Sequence, residues 1–158
     1  MGKFARIVMV SGTLALAVVA AGCSGDDDDT PTTEVPVLEA DDSLVGACLA
    51  FPADVGAEIT AFPRVDCAEP HTHEVFAVIE SAQQTYPGFE ALEAEAQVAC
   101  MTEFEPYVGV DPFDSDLFYE WIVPTLDSWD RAKDRQIVCV AGRLGAEPLR
   151  GSVKGTKL

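Results

Sequence analysis

The sequence is poor in basic side chains, with 10 lysines and arginines against 27 aspartates and glutamates and a net charge of −17. Nucleic acids and anionic lipid head groups attract cationic protein surfaces and repel a surface as acidic as this one. The composition therefore predicts that the protein binds no nucleic acid. It also predicts that any attachment to a membrane comes from acyl chains and not from a basic patch.

Histidine is also scarce, and the residue patterns of common hydrolases are missing. The chain has 2 histidines, His71 and His73, and no Gly-x-Ser-x-Gly motif. A Ser-His-Asp arrangement would have to use one of these two histidines, and we expect the cysteines of the domain to be held in disulfides. These absences favour a protein that is not an enzyme and that carries no cofactor.

The chain lacks an apolar run long enough for a transmembrane helix, which needs about 20 residues. Residues 7–19 are uncharged and mostly apolar, they follow the basic residues Lys3 and Arg6, and residues 20–23 read Ala-Ala-Gly-Cys. This order is typical of a bacterial lipoprotein export signal. We therefore predict a signal peptide at residues 1–22 and a lipidated Cys23 that holds the mature protein on the extracytoplasmic face of the cell membrane.

Residues 23–42 contain four consecutive aspartates at positions 26–29, two prolines and few apolar side chains. Such a segment cannot bury enough apolar surface to fold, so we predict a disordered acidic tether behind the lipidated cysteine. A cation site at the aspartates is the alternative, but adjacent aspartates without a converging turn are typical of a solvated spacer. The remaining residues, 43–158, suit one globular domain.

Four cysteines lie in this domain: Cys48, Cys67, Cys100 and Cys139. An even number in an exported protein indicates two disulfides, for which three pairings are possible. Extended segments at residues 45–51 and 62–67 are joined by a stretch that contains proline and glycine, so a hairpin would bring Cys48 to Cys67. We expect that pair, together with a Cys100–Cys139 pair that ties a helix to a strand.

The domain is predicted to be α+β, with a small, mainly antiparallel sheet packed by one principal amphipathic helix. Apart from Glu74 at its start, the segment of residues 74–79 is apolar on both alternating faces, which indicates a central strand covered on each side. Strand-like segments also occur at residues 117–123, 136–141 and 149–153. We expect the helix to end at Pro106 and its apolar stripe to consist of Phe89, Leu92, Ala96, Ala99, Cys100 and Phe104.

Aromatic side chains are concentrated in the strand predicted at residues 117–123. Leu117, Tyr119 and Trp121 alternate with Phe118 and Ile122 along it. We expect most of these side chains to lie in the core. The alternative is that one side of the strand stays uncovered and contacts a partner.

The segment Pro-His-Thr-His-Glu at residues 70–74 is the sharpest candidate for chemistry. An extended chain points His71 and His73 to the same side, and Glu74 adds a carboxylate. Such a set suits a zinc or copper ion or a small ligand, but no distant third ligand is evident, and zinc sites need at least three protein ligands. We favour a structural role, in which His71 and Glu74 hydrogen-bond the turn before the central strand, His73 is exposed and no metal is bound.

Several short motifs follow one another along residues 44–155. They are Val-Gly-Ala-Cys at 45–48, Cys-x-x-Pro-His-x-x-Glu-Val at 67–75, Tyr-Pro-Gly at 86–88, Cys100, Trp129, Asp-Arg at 134–135, Val-Cys at 138–139, and Gly-Ser-Val-Lys-Gly at 151–155. In this order the chain resembles the septum-formation domain family of actinobacterial envelope proteins. The resemblance implies a non-enzymatic envelope domain with a link to cell division.

These features together predict a non-enzymatic, lipid-anchored envelope protein that serves as a binding or accessory domain. Its expected partner is an envelope protein or an envelope polymer, besides the membrane that holds its lipid anchor. The alternative function is capture of a small ligand or a metal ion at the turn formed by residues 71–74.

Overall fold

The computed structural model describes residues 40–52, residue 59 and residues 61–158. The predicted signal peptide, the lipidation site Cys23 and most of the predicted tether lie outside these residues. Among the helices that the structure describes, none is both long enough and apolar enough to cross a membrane.

Five strands form one sheet, and every pair of neighbouring strands is antiparallel. The strands are β1 (Cys48–Leu49), β2 (Arg64–Val65), β3 (His73–Glu80), β4 (Leu117–Ile122) and β5 (Gln136–Arg143), in the spatial order β2-β1-β3-β5-β4. The continuous apolar run that predicted a central strand is therefore β3, which lies between β1 and β5. The predicted α+β class with an antiparallel sheet is confirmed.

One long helix, α1 (Phe89–Val108), covers one face of the sheet. Its buried side recurs at every fourth residue, with Leu92, Ala96, Cys100 and Phe104 fully covered. The ring of Phe104 packs edge-on against Phe76 of β3 at a centroid distance of 5.6 Å. A second core of Leu44, Leu49, Val75, Val138 and Val140 covers the opposite face, so β3 is buried on both sides as predicted.

The helix does not end at Pro106, as the sequence predicted, but continues to Val108. A proline inside a helix costs about 3 kcal/mol. Tyr107 and Val108 are both buried, and burying a large apolar side chain contributes about 1.5–3 kcal/mol, so the added burial offsets the proline. Gly109 ends the helix with a φ of 92°, and its N–H donates to the Glu105 carbonyl.

The predicted apolar stripe was wrong at its first residue, because Phe89 is 56% exposed. Helical side chains lean toward the helix N-terminus, so the side chain of the first helical residue projects beyond the turn that would cover it. Val98 and Met101 are also exposed. The outer surface of α1 is therefore less polar than an amphipathic pattern predicts.

Two predicted strand regions are shorter than expected. Residues 45–51 and 62–67 pair over two residues each, because Gly46 turns the chain with a φ of 86° and Pro63 lacks the N–H that would extend the ladder. Residues 149–153 form no strand, and only Leu149 makes a bridge, with His71. Gly151, with a φ of 78°, bends the chain directly after that bridge.

Both expected disulfides are present, Cys48–Cys67 and Cys100–Cys139. The first joins β1 to Cys67, two residues beyond β2, and the second joins α1 to β5. Cys100 and Cys139 are completely buried in the core beneath the helix, whereas Cys67 is partly exposed.

This difference in burial predicts the order of reduction. Under native conditions a phosphine reductant should open Cys48–Cys67 at least about tenfold faster than Cys100–Cys139, because attack on a sulfur requires access to it. Alkylation at timed intervals followed by peptide mass spectrometry measures both rates. Equal rates, or earlier opening of the buried pair, would contradict the prediction.

Candidate functional site

A buried carboxyl group lies between the sheet and the C-terminal segment. Glu74 of β3 is fully buried, and its side chain points to the face covered by α1. Its Oε1 accepts hydrogen bonds from the hydroxyls of Tyr107, at 2.6 Å, and Ser152, at 2.7 Å. Its Oε2 accepts from the backbone N–H of Val153 at 2.7 Å. This is how a buried polar group avoids the cost of desolvation.

The donors to Glu74 come from two separate parts of the chain. Tyr107 lies in the last turn of α1, and Ser152 and Val153 follow the bend at Gly151. Burial, and then the hydrogen bond to Glu74, raise the pKa of Tyr107 above its ordinary value. At neutral pH the tyrosine hydroxyl therefore stays protonated and donates a hydrogen bond to Oε1.

His71 lies next to Glu74 and is also buried. Its Nδ1 is 2.8 Å from the carbonyl oxygen of Glu69, and because a carbonyl can only accept, this nitrogen carries the hydrogen. The backbone of His71 pairs with Leu149 through two hydrogen bonds. The other ring nitrogen, Nε2, is buried and has no hydrogen-bond partner among the described residues.

Three side chains come close enough to share a metal ion. The Cys48 sulfur, a ring nitrogen of His71 and a carboxylate oxygen of Glu74 all lie within 4.8 Å of one another. Cys48 is held in a disulfide, however, and zinc binds cysteine as a thiolate. As the structure stands, two of the three groups are suitable ligands.

His73 is not part of this cluster. It lies on the opposite face of β3 and is mostly buried, with 18% of its side chain exposed, so the expectation of an exposed His73 was wrong. Its Nδ1 is 2.9 Å from the Thr72 hydroxyl, and its Nε2 is 3.3 Å from a carboxylate oxygen of Glu120. Neighbouring side chains in a strand face opposite ways, which separates His73 from Glu74.

Aromatic rings and a glycine fix the position of His73. The rings of Phe51 and Phe118 contact it edge-on, with centroids at 5.5 and 6.0 Å. Gly142 of β5 leaves room for both rings, because a Cβ there would lie 2.9 Å from Phe118 and 3.0 Å from His73. Burial lowers the pKa of His73 below its ordinary value, and Glu120 opposes that shift.

His73 forms one wall of a groove of about 570 Å³, called the His73 groove below. Its lining combines apolar rings with a few polar groups, namely Phe51, Pro52, Thr72, His73, Phe118, Glu120, Arg143, Leu144, Gly145 and Glu147. The groove runs beside β4, which pairs with β5 alone among the described strands. The second edge of β4 pairs with no strand among the residues that the structure describes.

Sequence reasoning identified His71, His73 and Glu74 but not their partners. Tyr107 and Arg143 were not singled out, because their roles depend on where α1 and β5 end in space. Ser152 and Val153 stood out only within the Gly-Ser-Val-Lys-Gly motif. That motif was the one signal in the sequence that pointed to the carboxyl site.

Comparison with known protein families gives one result. The family model described as "Septum formation" matches residues 19–139. The matched span contains all four disulfide cysteines and the His71 to Glu74 segment, while residues 151–155 lie beyond it. No curated protein and no solved structure significantly matches the chain.

The Glu74 hydrogen bonds can be tested by the stability of Tyr107→Phe. Loss of the hydroxyl removes a donor from a buried acceptor, so we expect the free energy of unfolding to fall by about 1–3 kcal/mol in urea titrations. Tyr119→Phe is the matched control, because Tyr119 packs against Phe104 through its ring, and we expect a change below about 0.5 kcal/mol. Equal losses in the two variants would show that the hydrogen bond to Glu74 contributes nothing specific.

The environment of His73 can be tested by following its ring protons in an NMR pH titration. We expect a pKa below the ordinary 6.5, and a further decrease in Glu120→Gln, since Glu120 favours the charged imidazole. The unfolded chain then binds this proton at a higher pH than the native chain, so stability that is present above pH 6.5 is lost as the pH falls through the native pKa. A pKa at or above the ordinary value, or a rise in Glu120→Gln, would contradict this account.

Proposed function

This chain belongs to the septum-formation family, and on that premise we propose that it is a non-enzymatic, lipid-anchored accessory protein of the cell envelope. It acts by binding an envelope protein or an envelope polymer. The family match supplies the link to septum formation. Anchoring, the absence of catalysis and the partner class are the parts that we propose.

The N-terminal sequence and the disulfides support the location. Residues 1–23 carry the order of a lipoprotein signal that ends at Cys23. Disulfides persist in oxidising compartments outside the cytosol, and the fold uses two of them to tie β1 to Cys67, two residues beyond β2, and α1 to β5. A lipid on Cys23 would place the acidic domain at the outer surface of the membrane without any basic patch.

The chemistry of the Glu74 site and of the His73 groove supports binding over catalysis. The four cysteines that the structure describes are all in disulfides, so none offers a thiolate. The Glu74 carboxyl group is occupied by three donors and shielded from solvent. In the His73 groove the hydroxyl of Thr72 donates to the Leu49 carbonyl, which makes it a poor nucleophile.

The observation that carries the proposal is the His73 groove, which is lined by Phe118 and Glu120 of β4. The second edge of β4 pairs with no described strand. Apolar rings with a few placed polar groups are typical of binding sites. An open strand edge next to such a groove suits an extended partner, whose backbone pairs with the edge while its side chains enter the groove. The alternative of ligand capture at the turn of residues 71–74 has less support in the oxidised chain, because His71 and Glu74 are shielded from solvent and the neighbouring Cys48 sulfur is held in a disulfide.

Site-specific photocrosslinking in cells tests the proposal. Leu144 lines the groove and is 67% exposed, whereas Val98 is 61% exposed on the outer surface of α1. With benzoylphenylalanine in place of Leu144 we expect a discrete crosslinked envelope product, at least about tenfold more abundant than with Val98 replaced. No product from Leu144, or an equal product from Val98, would overturn the proposed binding role.

The anchor is checked in the same strains. We expect the wild-type chain to incorporate labelled palmitate and to remain in the membrane fraction. Cys23→Ser should lose the label. A wild-type chain that takes up no label would overturn the lipid anchor while leaving the groove result standing.

A further inference from the structure

The buried groups around the Cys48–Cys67 disulfide match the donor set of a zinc site. The Cys48 sulfur lies within 4.8 Å of both a ring nitrogen of His71 and an oxygen of Glu74, and the Cys67 sulfur is bonded to it. Two cysteines, one histidine and one carboxylate are all ligands that zinc accepts, and four of them complete a tetrahedral shell. In the oxidised chain the two sulfurs are bonded to each other, so neither is available as a thiolate ligand.

The two ligands other than cysteine, His71 and Glu74, already make the hydrogen bonds that metal ligands usually make to the groups around them. A ligating histidine usually donates its second ring N–H to a carbonyl, and His71 does so from Nδ1 to Glu69. Ligating carboxylates are hydrogen-bonded in turn, as Glu74 is by Tyr107, Ser152 and Val153. These contacts fix both side chains before any ion arrives.

A ring nitrogen of His71 without a hydrogen-bond partner is a second, independent observation that points to a bound cation. His71 is 1% exposed, and its Nε2 has no hydrogen-bond partner among the described residues. Buried polar atoms without a partner are rare in folded proteins, and each one calls for an explanation. Binding a cation would use this lone pair.

We propose that reduction of the Cys48–Cys67 disulfide creates a Zn²⁺ site made of Cys48, Cys67, His71 and Glu74. The site exists only in the reduced state, so the same four residues form either a covalent link or a metal centre. This proposal is independent of partner binding at the His73 groove, which lies on the other face of β3. The fully buried Cys100–Cys139 pair has no such counterpart, because it lies in an apolar core.

The chemistry balances with an external dithiol as reductant. One of its thiolates attacks a sulfur of the Cys48–Cys67 bond, which forms a mixed disulfide and releases the other cysteine. Its second thiol then attacks the mixed disulfide and releases the remaining cysteine. The dithiol leaves as a disulfide, and Cys48 and Cys67 gain two electrons and two protons as thiols. Zn²⁺ binds the thiolate forms, so both protons are released to solvent.

Cobalt binding to the full-length chain tests the proposal. Cys23→Ser removes the fifth thiol, and the chain, purified in mild detergent, is compared oxidised and after treatment with a phosphine that binds no metal. We expect the reduced chain alone to bind one equivalent of Co²⁺ with a thiolate-to-cobalt charge-transfer band that Zn²⁺ abolishes. Alkylation of the metal-loaded chain should show Cys48 and Cys67 protected.

Two histidine variants make the test specific. We expect His71→Ala to weaken Zn²⁺ binding at least about tenfold, and His73→Ala, which alters the neighbouring histidine outside the cluster, to leave it unchanged. A reduced chain that keeps its circular dichroism spectrum but binds no Co²⁺ would overturn the proposal, as would equal effects of the two variants. If reduction unfolds the chain, refolding by one equivalent of Zn²⁺ that requires His71 supports the site, and failure to refold overturns it.

Discussion

The hydrogen bonds to the buried carboxyl group of Glu74 connect the sheet, α1 and the C-terminal segment. This carboxyl group is buried between the sheet and α1, where an acidic group is costly unless donors surround it. Its donors come from the last turn of α1 and from the C-terminal segment, so accommodating this one side chain fixes where two distant parts of the chain end. The extension of α1 through Pro106 buries Tyr107 and Val108 and also places the Tyr107 hydroxyl against Glu74. Val153 is likewise buried, and the hydroxyl of the exposed Ser152 bonds to Glu74, so these residues do not prolong the sheet.

Local patterns were sufficient for most of the architecture. The apolar run of β3 and the helical spacing after Phe89 each depend on residues close in sequence. Together with the even number of cysteines, they led to the correct central strand, helix and disulfide pairs. What local patterns missed depended on competition between distant groups. The π-helical turn Ser128–Ala132, with Lys133 at a φ of 59°, was not predicted, and it is held by the guanidinium of Arg135 lying 3.7 Å from the Trp129 ring centroid. The missing strand at residues 149–153 is another case, since Val153 donates to a side chain and not to a neighbouring strand.

The candidate sites were predictable in part. The segment of residues 70–74 was identified because histidine is scarce and two occur together. The expectation that an extended chain points His71 and His73 to the same side was wrong. His71 is held by its bridge to Leu149 and by Glu69, whereas His73 is held by Phe51, Phe118 and the space at Gly142. Each histidine is therefore positioned by contacts from remote segments, on different sides of the sheet. The groove could not be read from the sequence, because its walls come from four separate stretches of chain.

The edge of β4 that pairs with no described strand also has a consequence for how copies of this chain meet one another. Exposed strand edges invite pairing with an identical edge, which is a route to aggregation. Here Glu120 stands exposed near the middle of that strand, and the chain as a whole carries a charge of −17. Two such edges brought together would place like charges near one another, and this repulsion disfavours self-association. The acidity of the protein therefore opposes edge-to-edge pairing even where many copies are crowded together.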